Sequence, residues 1–342
     1  MAIRLPGGFA GCLRRRHRRN GLFSRSLGRL IERGIGFGGQ AGFGVDWMQE
    51  IALDVGLDLA LDALVNDRLA VLLGAGLSMA APSSLPSGAR IAATAKQKYD
   101  ALYGTTRPPL AIGIEEQAEF FFQRGELATV YFRSLIDFNV FAGIPNPGHE
   151  AVADLLLTGA IQSAVTTNVD ILVETAGQSL FGHIAVGVSG TAVAALPPEK
   201  SPLLKIHGCR SSDPDNMVWA PGQLNAEPVS GNIASSAHWL SVRLLDRDLI
   251  IIGYWTDWDY LNAVLEQTLG AVRPARVIVV DPADGASFEA KAPVLYRLGT
   301  STHKSFYHVR LSGADFLAGL RSAFSRSFIR RILHSGSEEY GY

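Results

Sequence analysis

Asn168 and Asp170 stand two residues apart in Thr166-Thr167-Asn168-Val169-Asp170, after a short apolar run. An asparagine at a strand end donates and accepts hydrogen bonds at once, so it can orient a water or a ribose hydroxyl. The same segment can form an Asx turn and helix cap, a role that suits Asp170. His207 follows Lys205-Ile206 at the end of another apolar run. A neutral imidazole there can take a proton or bond a sugar hydroxyl, or it can be purely structural. Gly74-Ala75-Gly76-Leu77-Ser78 ends a third run. Two glycines let backbone approach a phosphate, and a following helix offers its N-terminal N–H groups; unliganded, they make a tight turn. Met79 fills the last fingerprint position, and no Gly-Lys-Ser/Thr of a phosphate-loop motif occurs. Asp281, after Val277–Val280, can bind a ribose hydroxyl or turn the chain.

These residues need strands to place them. Leu69–Leu73 is a continuous apolar run, as in a strand buried on both faces. Ile161–Thr166, Leu203–Ile206, Leu249–Tyr254 and Arg276–Asp281 have the same form, and Tyr307–Leu311 is a weaker sixth. Helical spacing appears over Gln49–Asn66, Glu150–Leu157 and Leu261–Leu269. Alternation of this kind predicts an α/β fold: a Rossmann-like, doubly wound, mainly parallel sheet. The interval between the first two strands is far longer than one crossover helix needs. Residues 90–148 read as a small helical insertion, with helices over Ile91–Leu102, Glu115–Arg124 and Leu127–Phe138. Phe120, Phe121, Phe122, Tyr131, Phe132 and Phe138 supply its core, and Asn146-Pro147-Gly148 starts the next helix. Ligands of such sheets bind beyond the carboxyl ends of the strands, where small and polar residues recur.

The formal charge of −1 over 342 residues hides an asymmetry. Residues 1–47 hold nine Arg against Glu32 and Asp46, a net of +7, so the remainder carries −8. That basic segment includes eleven Gly, a composition that predicts disorder. It reads as a basic arm, as a transit peptide, or as sequence upstream of a start at Met48. Its Gly34-Ile35-Gly36-Phe37-Gly38-Gly39 fits a dinucleotide fingerprint but follows no strand. The expected organisation is this segment, a nucleotide-binding domain over 48–325, and a tail over 326–342. The acidic body argues against nucleic-acid binding by the core. No stretch is long and apolar enough to span a bilayer, and no membrane partner is expected. Two cysteines, Cys12 and Cys209, exclude a disulfide framework and a four-Cys zinc site. No metal is expected, and a reducing, cytoplasmic setting is the default.

In chain order these motifs resemble the sirtuin-like superfamily over roughly residues 65–285. Gly74-Ala75-Gly76-Leu77-Ser78 with Leu85-Pro86-Ser87 is similar to its first nucleotide motif. Thr166-Thr167-Asn168-Val169-Asp170 is similar to its Thr-x-Asn-x-Asp motif, and Lys205-Ile206-His207-Gly208 to its His-Gly. Gly253-Tyr254 with Asp257 or Asp259 resembles a later Gly-x-Ser-x-x-Asp segment, with Trp255 where Ser is usual. Lacking the family's four-Cys zinc module, the pattern is similar to a bacterial branch that hydrolyses NAD, often in antiphage defence. The resemblance implies NAD as substrate, and nicotinamide and ADP-ribose as products. Asn168 would hold the attacking water, and His207 would engage a ribose hydroxyl or act as base. Gly74, Ala75, Gly76 and Ser78 would face the pyrophosphate, Thr167 and Asp170 the ribose and its loop, with Gly253, Tyr254 and Asp281 completing the cofactor site. A homo-oligomer or a defence-system partner protein is the expected assembly. The alternatives are a protein deacylase or ADP-ribosyltransferase using the same pocket, and a non-catalytic NAD or ADP-ribose-binding module.

Overall fold

The computed structural model describes residues 48–253, 258–301 and 306–340, which fall in one compact unit, Asp46–Tyr342. The strands are β1 (Gln49–Glu50), β2 (Leu69–Leu73), β3 (Ala164–Thr166), β4 (Ala185–Gly187), β5 (Pro202–Lys205), β6 (Asp248–Ile252), β7 (Arg276–Val280) and β8 (Phe306–Val309). They form one parallel sheet of eight strands in the order β1-β8-β7-β6-β2-β3-β5-β4. The α/β, doubly wound reading is therefore correct.

The central strands read as unbroken apolar runs because both faces are covered. Leu69, Val71 and Leu73 point to one face, against α1 (Leu53–Val65) and two later helices. Ala70 and Leu72 point to the other. The β2–β3 connection includes a short α2 (Ala75–Met79), α3 (Gly88–Tyr103), α4 (Ile114–Phe122) and α5 (Pro147–Leu157). Of these, α5 packs on the first face. After α6 (Leu172–Ser179) and α7 (Gly190–Ala194), α8 (Val229–Arg243) and α9 (Asp259–Leu269) cover the second face, together with α10 (Gly285–Lys291) and α11 (Pro293–Thr300). The last helix, α12 (Gly313–Tyr340), returns to the first. Coverage thus changes face across β2 and β6, which makes their carboxyl ends the switch point where such sheets take ligands.

The insertion has a core of its own. Phe121, Tyr131 and Phe132 are fully buried there, and Val169, Met217 and Trp219 join them from loops beyond β3 and β5. It is thereby packed onto the carboxyl edge of the sheet.

Several boundaries differ from the sequence expectation. Gln49 and Glu50 pair as an edge strand with Tyr307 and His308, so the first helix begins at Leu53 rather than Gln49. The expected strand over Ile161–Thr166 is paired only from Ala164. The strand expected to reach Tyr254 ends at Ile252, because Gly253 adopts φ +61° and turns the chain. The helix expected over Leu127–Phe138 is a π-helix, Leu127–Leu135, followed by a short 3₁₀ turn, Phe138–Phe141. One helix runs from Gly313 to Tyr340, across the tail boundary expected at 325. The Arg-rich and Gly-rich segment 1–47, Tyr254, Trp255 and Asp257 lie outside the described residues.

Candidate functional site

β3 and β5 lie side by side with Thr166 opposite Lys205, and the Ile206 amide donates to the Thr166 carbonyl at 3.1 Å. Asn168 and His207 each follow the end of their strand by two residues, and the His207 ring hydrogen-bonds the backbone of Thr167, next to Asn168. The sheet thus brings together the two residues in which the sequence reading places the chemistry.

Asn168 is held on one side only. Its Nδ2 donates to the Gly74 carbonyl at 3.2 Å and to Ser78 Oγ at 3.0 Å, and its backbone N–H donates to Thr166 Oγ1 at 3.0 Å. Its Oδ1 is buried and has no partner. Thr166 and Thr167 are tied in turn to the Leu73 carbonyl, which fixes the loop against β2.

Ser78 is the hub of the site. It is buried, and its hydroxyl donates to Asp170 Oδ2 at 2.8 Å. It stands 3.1 Å from His149 Nε2. His149 Nδ1 accepts the Asn146 backbone N–H at 3.2 Å, so in the neutral ring Nε2 carries the proton and donates to Ser78. Both acceptor positions of Ser78 Oγ are then filled, by His149 and Asn168, and its one proton is directed at Asp170. Burial pushes His149 down to about 4 against the opposing pull of Asp170, so the ring is neutral at pH 7. Asp170 Oδ1 meanwhile accepts the Leu172 N–H at 3.0 Å, the Asx turn that its sequence position allows.

Sequence reasoning missed His149. The available signal was the pair Asn146 and His149, N-cap and N3 of α5, which close a reciprocal capping box.

Beneath the loop, Lys205 is almost wholly buried. It donates to the Asp170 carbonyl and, at 2.6 Å, to Glu174. Lys205 also lies 3.5 Å from Cys209 Sγ. Burial alone would raise the Cys209 thiol, but the Lys205 charge and hydrogen bonds from Ser211 and Ser212 bring it below its ordinary value.

His207 is enclosed, with its ring 5.9 Å from that of Tyr260, which in turn stacks on Trp258. Burial lowers its pKa to about 3, opposed by a hydrogen bond with the Thr167 backbone. Nε2 is buried and unpartnered, so that bond falls to Nδ1. A neutral ring donating through Nδ1 carries its lone pair on Nε2 and is an acceptor there.

Across the switch point the two glycine turns touch. The Gly74 amide donates to the Ile252 carbonyl at 2.8 Å and the Gly76 amide to the Gly253 carbonyl at 2.6 Å. A Cβ on Gly76 would sit 2.7 Å from the Gly253 oxygen, and one on Gly253 would sit 2.4 Å from the Leu77 nitrogen. The close backbone approach that the glycines permit is therefore spent on the β2–β6 crevice, with Ala75 exposed at its tip. Asp281 uses Oδ1 to accept the Ala283 N–H at 2.8 Å, a turn at the end of β7. Asp259 is exposed in the first turn of α9, where Glu115 of the insertion accepts the backbone N–H groups of Asp259 and Tyr260 at 3.2 and 2.9 Å.

Asn168, His149, Asp170 and Lys205 line a cavity of about 10 Å³, room for one water at most. A cleft of about 320 Å³ lies between Ser84–Thr94 and Leu135–Val140, with Arg90 and Asp137 on its walls. His207 lines neither.

Residues 162–297 match the family model of the SIR2-like domain. The SIR2-like match contains Thr167, Asn168, Asp170, His207, Gly253 and Asp281, whereas the first glycine turn, Ser78 and His149 precede it. Solved structures of Sir2 homologues are similar to the chain as well. One is an NAD complex, 16% identical, covering 83% of this chain and 98% of that one with a TM-score of 0.45. Another is an ADP-ribose complex of a variant, 16% identical, covering 78% and 96% with a TM-score of 0.44. No curated protein matches the chain.

Proposed function

We propose that the chain hydrolyses NAD at the bond between nicotinamide and ribose, giving nicotinamide and ADP-ribose. One observation carries the reading: Asn168 Oδ1 and His207 Nε2 are both buried and unpartnered, each two residues beyond the end of the adjacent strands β3 and β5. A buried polar atom without a partner costs about 1–3 kcal/mol, a cost that a bound ligand removes. The SIR2-like match over 162–297 and the ordered sequence motifs support NAD as that ligand.

The reaction asks little acid chemistry of the protein. The C1′–N bond breaks with its electron pair going to the pyridinium nitrogen, which becomes neutral nicotinamide. A water oxygen bonds to C1′, and one proton is released. Asn168 Oδ1 accepts a hydrogen bond from that water and aims its lone pair at C1′. His207 Nε2 accepts from a ribose hydroxyl or takes the water's proton. Ser78, Thr166 and Asp170 keep the Asn168 amide in register, and Ala75 at the crevice tip is placed to meet the pyrophosphate. Two cysteines cannot supply the four-Cys module of the zinc-bearing deacylases, which favours a hydrolase, and the same resemblance is the ground for a defence setting.

Nicotinamide release by purified protein, without acylated peptide, tests the reading. Asn168→Ala and His207→Ala are each expected to lower kcat/KM by about 10²-fold or more. Turnover by both variants at the wild-type rate would sink the assignment.

A further inference from the structure

The C-terminal part of α12 has no role in the site. Its first half packs on the sheet through Ala314, Phe316, Leu317 and Leu320, and Arg321 pairs with Asp154 and Glu150 of α5. Phe324 still packs against the body, and every residue from Phe328 to Ser335 is exposed. Four of these are large and apolar: Phe328, Ile329, Ile332 and Leu333, each more than half exposed. An isolated exposed leucine needs no explanation, but four on one helix face form a patch.

Helical spacing gathers the large apolar residues on one side, with Ser325 and Ser335 among them. Phe324, Phe328, Ile329, Ile332 and Leu333 occupy about half the circumference, with Phe324 and Phe328 rings stacked at 6.2 Å. Arg326, Arg330 and Arg331 occupy the other half. Arg326 and Arg331 fall at its two edges, where a long side chain can lay its stem beside the apolar arc and lift its guanidinium to a polar layer. No acidic residue lies between Asp315 and Glu338. A second copy of this face would therefore bring arginines against arginines, and a nucleic acid would leave the apolar half uncovered. A bilayer with anionic headgroups satisfies both halves: acyl chains for the apolar arc and phosphates for its arginine borders.

We propose that residues 326–335 of α12 form an amphipathic helix that lies in the surface of an anionic membrane. This departs from the sequence expectation of no membrane partner. It concerns surface binding only, since no helix among the described residues is long and apolar enough to cross a bilayer. It does not depend on the NAD reading.

Co-sedimentation of the full chain with vesicles tests it. The protein should pellet with phosphatidylcholine vesicles containing about 30% phosphatidylserine and stay largely in solution with phosphatidylcholine alone. Ile332→Ser with Leu333→Ser, and Arg326→Gln with Arg330→Gln and Arg331→Gln, should each weaken binding by roughly tenfold or more. Melting temperatures should not change, because these side chains are exposed. A wild-type chain that ignores phosphatidylserine vesicles overturns the proposal. So does wild-type binding by both variants, which would assign the lipid affinity to the Arg-rich residues 1–47. A dimer that Ile332→Ser dissociates, without vesicle binding, would assign the face to a second copy.

Discussion

Ser78 carries more of the site than its place in a glycine-rich turn suggests. One hydroxyl joins His149 of α5 to Asn168 and Asp170 of the loop after β3, two segments far from Ser78 in the chain. Its hydrogen-bond capacity is filled, so removing the hydroxyl leaves buried groups without a partner. Ser78→Ala is expected to cost about 1–3 kcal/mol of stability. It should also free the Asn168 amide to rotate, and NAD turnover should fall roughly tenfold or more. Urea unfolding and nicotinamide release check the two effects, and an unaltered rate would mean that Asn168 needs no such brace. Asn168 and His207 were legible in the sequence because each follows an apolar run at a strand end. His149 was not, because its partner Ser78 lies 71 residues away in sequence. Only the fold makes that pair.

At the scale of elements, legibility followed burial. β2, β6 and β7 are covered on both faces, and their apolar runs declare them. β1 is two exposed polar residues, and β4 is Ala185-Val186-Gly187 at the far edge. Neither carries a hydrophobic signature, so neither was expected. The insertion was legible from its aromatics, but its attachment was not. That attachment includes Glu115, which caps the start of α9 from a distance of 144 and 145 residues. Burial raises the Glu115 carboxyl, and the two N–H groups it accepts oppose the rise. Glu115→Ala should therefore expose the first turn of α9 and cost about 1 kcal/mol. Amide hydrogen exchange at Asp259 and Tyr260 should quicken; unaltered protection there would show that the cap adds nothing.

For the molecule as a whole, two buried histidines set an acid limit. His207 is lowered to about 3 and His149 to about 4, both by burial. In the unfolded chain each titrates near 6.5. Between those values the unfolded state binds more protons, so stability is complete above pH 6.5 and falls as the pH drops toward 4 and then 3. The loss approaches about 1.4 kcal/mol per histidine for each pH unit. Urea unfolding at pH 7.5 and 5.5 should therefore differ by about 2–3 kcal/mol from these two groups. His149→Asn should reduce that difference; an equal pH dependence in the variant would place the proton uptake elsewhere. The uneven charge also has a whole-molecule meaning. With an acidic body, the proposed recognition of a dinucleotide would fall to local backbone and side-chain groups, not to bulk attraction.

The central claim is that Asn168 Oδ1 and His207 Nε2 open onto one ribose. A crystal structure of the full chain with ADP-ribose tests it most directly. The account predicts the ribose that carries the anomeric carbon within about 3.2 Å of both atoms, with Ser78 still bound to Asn168, His149 and Asp170. A ribose bound elsewhere, or a structure in which both atoms pair with protein groups instead, would contradict it.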